Sequence, residues 1–284
     1  MRLPASEHQA LQDGAVQTDI GPVHYVRAGH GSPLVLIHGG FGSWQHWQEN
    51  IGPLAASHTV FAIDMPGFGT SCDATPGSDI EQLARPVAQA IAAMCATLPP
   101  ADRATPPGIA AFSFGTAVAV KVAQLFPDAV RKLLLVNPPG LGQVSDEVKA
   151  IQAAAAEAAR SDGLRAGLDI TLRGLMVHDA TLATPAALDV LEACVRQTRF
   201  VSRSLSRSVH LRPMLAALAM PVHLVLGEDD PHQRHELAER RAWLEQHLGR
   251  DSVSVFARSG HWLQYEQATR FNALAIDYFS DAHP

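Results

Sequence analysis

The feature that most constrains the fold is a recurrence of short apolar runs without strict polar alternation. They read VHYVRA (23–28), PLVLIHGG (33–40), HTVFAIDMPG (58–67), PGIAAFS (107–113), RKLLLVNPPG (131–140), PVHLVLGEDD (221–230) and DSVSVFARSG (251–260). Each is bounded by turn residues, which predicts strands buried on both faces of a mostly parallel sheet. Helical patterns lie between them. Residues 79–97 place Ile80, Leu83, Val87, Ile91 and Met94 at spacings of three and four, and Pro127 stops a second segment at 116–126. Residues 235–248 and 266–279 supply two more. Strands alternating with helices predict an α/β fold with a doubly wound sheet. From 141 to 218 the strand pattern lapses into Ala-rich and Leu/Val-patterned helical stretches. The expectation is a helical insertion at 141–218 between two strands, with residues 1–140 and 219–284 forming one core domain.

Composition narrows the partners. The net charge of −6 gives no general attraction to nucleic acid or to an anionic membrane surface. Cys72, Cys95 and Cys194 are odd in number and far apart, so neither a disulfide framework nor a zinc-ligand spacing is present. The stretch MRLPASEHQALQDG lacks the apolar core of a signal peptide. The expectation is a cytoplasmic monomer or homodimer that acts on a small molecule.

Reactive groups in open α/β sheets collect beyond the carboxyl ends of strands. Ser113, in IAAFSFGTA, ends a strand run and opens a helical one. Strand, sharp turn and helix is the setting of a nucleophile elbow, which requires small residues two before and two after the serine. Ala111 and Gly115 meet that requirement. ARSDG at 159–163 fits the same relaxed pattern, but Ser161 ends a strong helix former and is set aside. A serine hydroxyl needs a base, and the base an orienting acid. His261, after the last strand run, is the candidate base. Asp230, closing PVHLVLGEDD, is the candidate acid, with Glu228 and Asp229 as rivals. For the oxyanion, the N–H of Phe114 and that of Gly40 or Phe41, in HGGFGSW, are the candidate donors. His38 is expected to order that loop. The loop has neither Gly-x-Gly-x-x-Gly nor a following Lys-Ser/Thr, so a phosphate cradle is not expected.

No cofactor and no metal are expected, since His232 and His235 in HQRH have no evident third ligand. Trp44, Phe112 and Trp262 are candidate substrate-binding residues for an apolar group. Arg196, Arg199, Arg203 and Arg207 recur every three or four residues, which predicts one shared helix face, either solvated or built to capture a carboxylate.

PLVLIHGGFGSW, AIDMPGFGTS, AAFSFGTA, PVHLVLGEDD and SGHWLQYEQATRFNALAIDYF resemble the α/β-hydrolase superfamily, serine-nucleophile branch, across nearly the whole chain. DMPGFGTS and GHWLQYE are most similar to the meta-cleavage-product (carbon–carbon bond) hydrolases and related carboxylesterases. The resemblance implies that 141–218 is a cap and that Ser113, Asp230 and His261 are the catalytic residues. The alternative acid position in such proteins holds Asn137 here. Phe112 departs from the polar residue those hydrolases carry before the serine, and Val190 stands near the place of their cap arginine. The leading expectation is ester hydrolysis, with carbon–carbon hydrolysis second and a non-catalytic ligand-binding protein as the reading from another class.

Overall fold

The computed structural model describes residues 11–280, so most of the N-terminal stretch read for a signal peptide lies outside the described residues. The sheet begins with an antiparallel pair, Gln12–Thr18 (β1) and Gly21–Ala28 (β2). The first of these was not among the expected strands. Its sequence, QDGAVQT, is polar, and it lies at the sheet edge with no residue fully buried. An edge strand needs no continuous apolar run, which hides it from that pattern.

Pro33–Ile37 (β3), Thr59–Ile63 (β4), Gly108–Phe112 (β5) and Lys132–Val136 (β6) are buried at every residue, as a sheet covered on both faces demands. Val222–Gly227 (β7) and Val253–Phe256 (β8) complete eight strands in the order β1-β2-β4-β3-β5-β6-β7-β8. Pairing is antiparallel from β1 to β4 and parallel from there to β8. Successive side chains serve opposite cores. Ile37, Ala111, Leu135 and Leu226 enter one, whereas Leu36, Phe112, Val136 and Val225 enter the other.

Helices cover both faces. Gln48–Ala55 (α1) packs on the second core, and Ile80–Ala96 (α2) and Phe114–Leu125 (α3) on the first. The start of α2 is set by a capping box: Asp79 accepts the Gln82 N–H at 2.8 Å, and the Gln82 side chain accepts the Asp79 N–H at 2.9 Å. Between β6 and β7 run Asp146–Ser161 (α4), Leu164–Thr171 (α5), Pro185–Arg196 (α6), Ser202–Ser208 (α7) and Leu211–Ala216 (α8), with no strand. Val209, Leu211 and Leu215 join the first core, so the end of this helical segment is packed into the body of the fold. Leu237–Leu248 (α9), Leu263–Glu266 (α10) and Ala268–Phe279 (α11) follow, α11 closing the second core. No helix among the described residues is long and apolar enough to cross a membrane.

The arginine expectation needs correction. Helix α6 stops at Arg196 and α7 starts at Ser202, so the four arginines do not share a face. Arg196 pairs with Glu192, Arg207 donates to Gln152, and Arg203 lies over the Phe41 ring. Arg199 pins the segment to the core: it donates to Gly69 O (2.9 Å), Ser71 O (2.5 Å) and Asp73 (2.5 Å). Periodicity alone could not see the break, because the residues between the two helices carry no Pro or Gly.

The β5–α3 turn is where the fold is tightest. Ser113 has φ 49° and ψ −123°, a conformation disfavoured for a side-chain-bearing residue, and its N–H donates to Val136 O at 2.9 Å. A β-carbon on Gly115 would meet the backbone oxygens of His38 at 2.3 Å and Ile37 at 2.9 Å, so only glycine fits there. Ala111 is fully buried in the first core, where its methyl packs without strain. Gly115→Ala is therefore expected to cost about 2–3 kcal/mol, through forced backbone displacement. Ala111→Gly should cost only about 1 kcal/mol, through a lost methyl and added chain entropy. Urea denaturation of both variants checks this, and equal losses would contradict it.

Candidate active site

Three strand ends converge. Ser113 follows β5, Asp230 lies in the turn after β7, and His261 in the loop after β8. His261 Nε2 is 2.9 Å from Ser113 Oγ, and its Nδ1 is 2.7 Å from Asp230 Oδ2. The rival acids lie elsewhere: Glu228 is exposed, and Asp229 faces His178 at 3.6 Å. Asp230 is buried and also accepts the His232 N–H at 2.9 Å. Burial alone would raise its pKa, but the charge and hydrogen bond of His261 and the neighbouring His232 outweigh that and hold it below the usual carboxylate range.

Asn137 joins the acid loop to the histidine loop. Its side-chain amide donates to His261 O (2.7 Å) and Gly260 O (3.2 Å), while its Oδ1 accepts the Gly227 N–H (2.8 Å) and a Gln233 amide hydrogen. Its φ of 45° is a conformation asparagine tolerates better than most residues. At sequence level this position stood out only as a place where an acid is absent. Glu266 adds a second tether, accepting the Gly260 N–H at 2.7 Å.

The glycine loop after β3 lies beside the serine. A β-carbon on Gly39 would come within 3.1 Å of Ser113 Cβ, and one on Gly40 within 3.6 Å of Phe114 Cβ. His38 does hold this loop: its Nε2 accepts the Met65 N–H (3.0 Å) and its Nδ1 donates to Gly39 O (2.6 Å). Buried Asp64 fixes the far end by accepting the N–H groups of Trp44 (2.8 Å) and Thr70 (3.1 Å). Phe41 stands at φ 56° in this loop. Gly40 and Phe114 thus lie together beside the serine, and Phe41 follows Gly40 in the same loop.

The aromatic residues divide. Phe112 and Trp262 are fully buried. The Phe112 ring is 5.0 Å from His261 and 5.5 Å from His46, and Trp262 Nε1 donates to His46 O at 2.9 Å. Both therefore wall in the imidazole side of the site, and only Trp44 is partly exposed. His46, which sequence reasoning passed over, sits among them, its Nδ1 accepting the Gly39 N–H at 3.3 Å. Only its position among aromatics in SWQHW hinted at burial.

The HQRH pair diverges. His235 turns to Glu147 at 2.8 Å, whereas the His232 ring lies 4.6 Å from that of His261. Asp230, His232 and His261 hold potential ligand atoms within 4.8 Å of one another, but both His261 nitrogens already face Ser113 and Asp230. Burial and the nearby His261 push the His232 pKa down to about 4, so it adds a neutral ring at pH 7. It also lines a cavity of about 290 Å³ shared with Ser145, Lys149 and Arg240, on the acid side of the site.

Comparison with known proteins establishes the family and the fold. Residues 34–274 match the model of the alpha/beta hydrolase family. The chain belongs to the alpha/beta hydrolase family. It is 28% identical over 274 residues to a 2-hydroxy-6-oxo-6-phenylhexa-2,4-dienoate hydrolase from Comamonas testosteroni, covering 90% of each chain. Among solved structures it superposes on carboxylesterase CesB from Bacillus subtilis with a TM-score of 0.77 at 18% identity, covering 95% of this chain and 91% of that one. The meta-cleavage product hydrolase CumD from Pseudomonas fluorescens gives 0.69 at 22% identity, covering 92% and 95%.

Burial, reinforced by His38 and His261, lowers the His46 pKa from 6.5 to about 3. The folded state thus refuses a proton that the unfolded chain accepts below about pH 6.5. The unfolded state binds more protons in that window, so stability falls as pH falls from 6.5 toward 3. Wild type at pH 4 should lose about 3 kcal/mol more, relative to pH 7, than His46→Phe does. Denaturant titrations at the two pH values test this, and equal losses in both proteins would refute it.

Proposed function

We propose that the chain is a serine hydrolase acting on a small, largely apolar carboxylic ester. The observation that carries this reading is the continuous hydrogen-bonded line from Ser113 Oγ through His261 to Asp230, with the serine on a strained strand-to-helix turn. Ser113 Oγ attacks the ester carbonyl carbon while His261 Nε2 takes its proton. The carbonyl oxygen becomes an oxyanion, received by the N–H of Phe114 and that of Gly40 or Phe41. The tetrahedral species collapses, the C–O bond to the alcohol breaks, and His261 returns the proton to the departing oxygen. Water, deprotonated by His261, then attacks the acyl-serine; the acyl C–Oγ bond breaks, His261 returns the proton to Ser113 Oγ, and the acid is released. Asp230 holds the Nδ1–H and stabilises the imidazolium in both halves. Each step is complete with side chains and water.

The apolar substrate class is supported by the surroundings. Phe112 beside the nucleophile offers no polar partner, and Val190 is buried in the second core. The helical segment 141–218 serves as the cap. Arg199 anchors it to the core, and Phe200 packs 6.0 Å from Phe68. A second reading, carbon–carbon bond hydrolysis of a dienoate, is favoured by the Comamonas relative and by Arg203. That guanidinium, over Phe41, has no acidic partner among the described residues and could meet a carboxylate.

A fluorophosphonate probe is expected to label wild type on Ser113 and to leave Ser113→Ala unlabelled. Aryl-ester turnover should fall by about four orders of magnitude or more in Ser113→Ala. Unlabelled wild type would refute the nucleophile. Turnover of dienoic ring-fission products with none of esters would install the second reading.

A further inference from the structure

Helix α7 carries four serines, and one behaves differently. Ser204, Ser206 and Ser208 each donate to a backbone oxygen three or four residues earlier: Val201 O (3.5 Å), Ser202 O (3.0 Å) and Leu205 O (3.1 Å). Such bonds are the ordinary fate of a helical serine. Ser202 is fully buried, and its hydroxyl has no hydrogen-bond partner among the described residues. A buried hydroxyl left unpaired costs about 1–3 kcal/mol, so a compensating use is to be sought where it points.

It points at the glycine loop. A β-carbon on Gly40 would stand 2.5 Å from Ser202 Oγ and 3.6 Å from Phe114 Cβ. The hydroxyl therefore occupies the space that a side chain at Gly40 would fill, beside Gly40 and Phe114, two of the residues offered above as oxyanion donors. Any larger residue at position 40 would displace it. The placement is held from two sides. On the N-terminal side, the Arg199 N–H donates to Gly67 O at 2.9 Å and its guanidinium grips the 69–73 turn. On the other, Arg203 lies 5.5 Å over the Phe41 ring.

We propose that the Ser202 hydroxyl donates a hydrogen bond to the substrate carbonyl oxygen as negative charge develops on it. It would be a third oxyanion donor, supplied by the helical segment rather than by the sheet. The proposal rests on the hydrolase reading above. It assigns Ser202 as a catalytic residue, and it makes the oxyanion site complete only while 199–203 is seated on the core. A preorganised donor whose bond strengthens as charge develops in the transition state lowers the barrier rather than merely tightening binding.

The test compares wild type, Ser202→Ala and Ser202→Thr with p-nitrophenyl butyrate, alongside thermal melting and end-point fluorophosphonate labelling. Ser202→Ala should lower kcat by about 10- to 100-fold with KM changed by less than about threefold. Its Tm should be unchanged or higher, because the variant loses an unpaired buried group. Ser202→Thr, which keeps a hydroxyl, should recover much of kcat. An unchanged kcat, a rise in KM alone, or a fall in Tm accompanying the lost activity would each overturn the proposal. Wild type that neither labels nor turns over the ester overturns the hydrolase reading, and this proposal with it. Wild type that labels and turns over, matched by Ser202→Ala, overturns the role of Ser202 alone.

Discussion

The close approach of α3 to the end of β3 is the constraint on which the site depends. Gly115 sits against the backbone oxygens of Ile37 and His38, leaving no room for a side chain. That contact forces the preceding turn to be sharp, so Ser113 is held at a positive φ with its Oγ facing His261. The same His38 begins the glycine loop. One steric contact therefore sets the Ser113 turn and the glycine loop in register with each other.

A second constraint operates at the opposite side. Asp230 and His261 belong to separate loops that follow different strands, and Asn137 binds the backbone of both. Its position at the end of β6, beside β7, makes this reach possible. An amide serves here because it supplies donors and an acceptor from one uncharged group. A carboxylate at 137 would face the oxygens of Gly260 and His261 with no proton to offer. Around this clamp the side chains are buried, with the rings of Phe112 and His232 against His261. There Asp230 stays ionised through its own partners, while His46 and His232 are held neutral by burial.

The helical segment between β6 and β7 is fastened by polar bonds, by Val209, Leu211 and Leu215 in the first core and by Leu172, Val177, Val190, Leu191 and Cys194 in the second. Most of α4 is exposed, so that helix contributes little to the core. One of these attachments, through Arg199 and Arg203, lies next to the glycine loop.

Much of this was legible in the chain. Strands buried on both faces announce themselves as apolar runs, because every residue in them must avoid water, and the residues after each run are then the natural places for chemistry. That logic points to Ser113, Asp230 and His261, whose side chains the fold brings into one hydrogen-bonded line, and Ala111 takes the place of glycine because one methyl fits where the turn is not tightest. Strand β1 escaped because one face of an edge strand is free to be polar. The arginine face dissolved because helix periodicity does not register a break made without Pro or Gly. The amide clamp of Asn137, the buried neutral His46 and the unpaired Ser202 could only emerge from tertiary structure. Each depends on which distant backbone happens to lie within hydrogen-bonding distance, and that is set by packing across the fold rather than by neighbours in the chain.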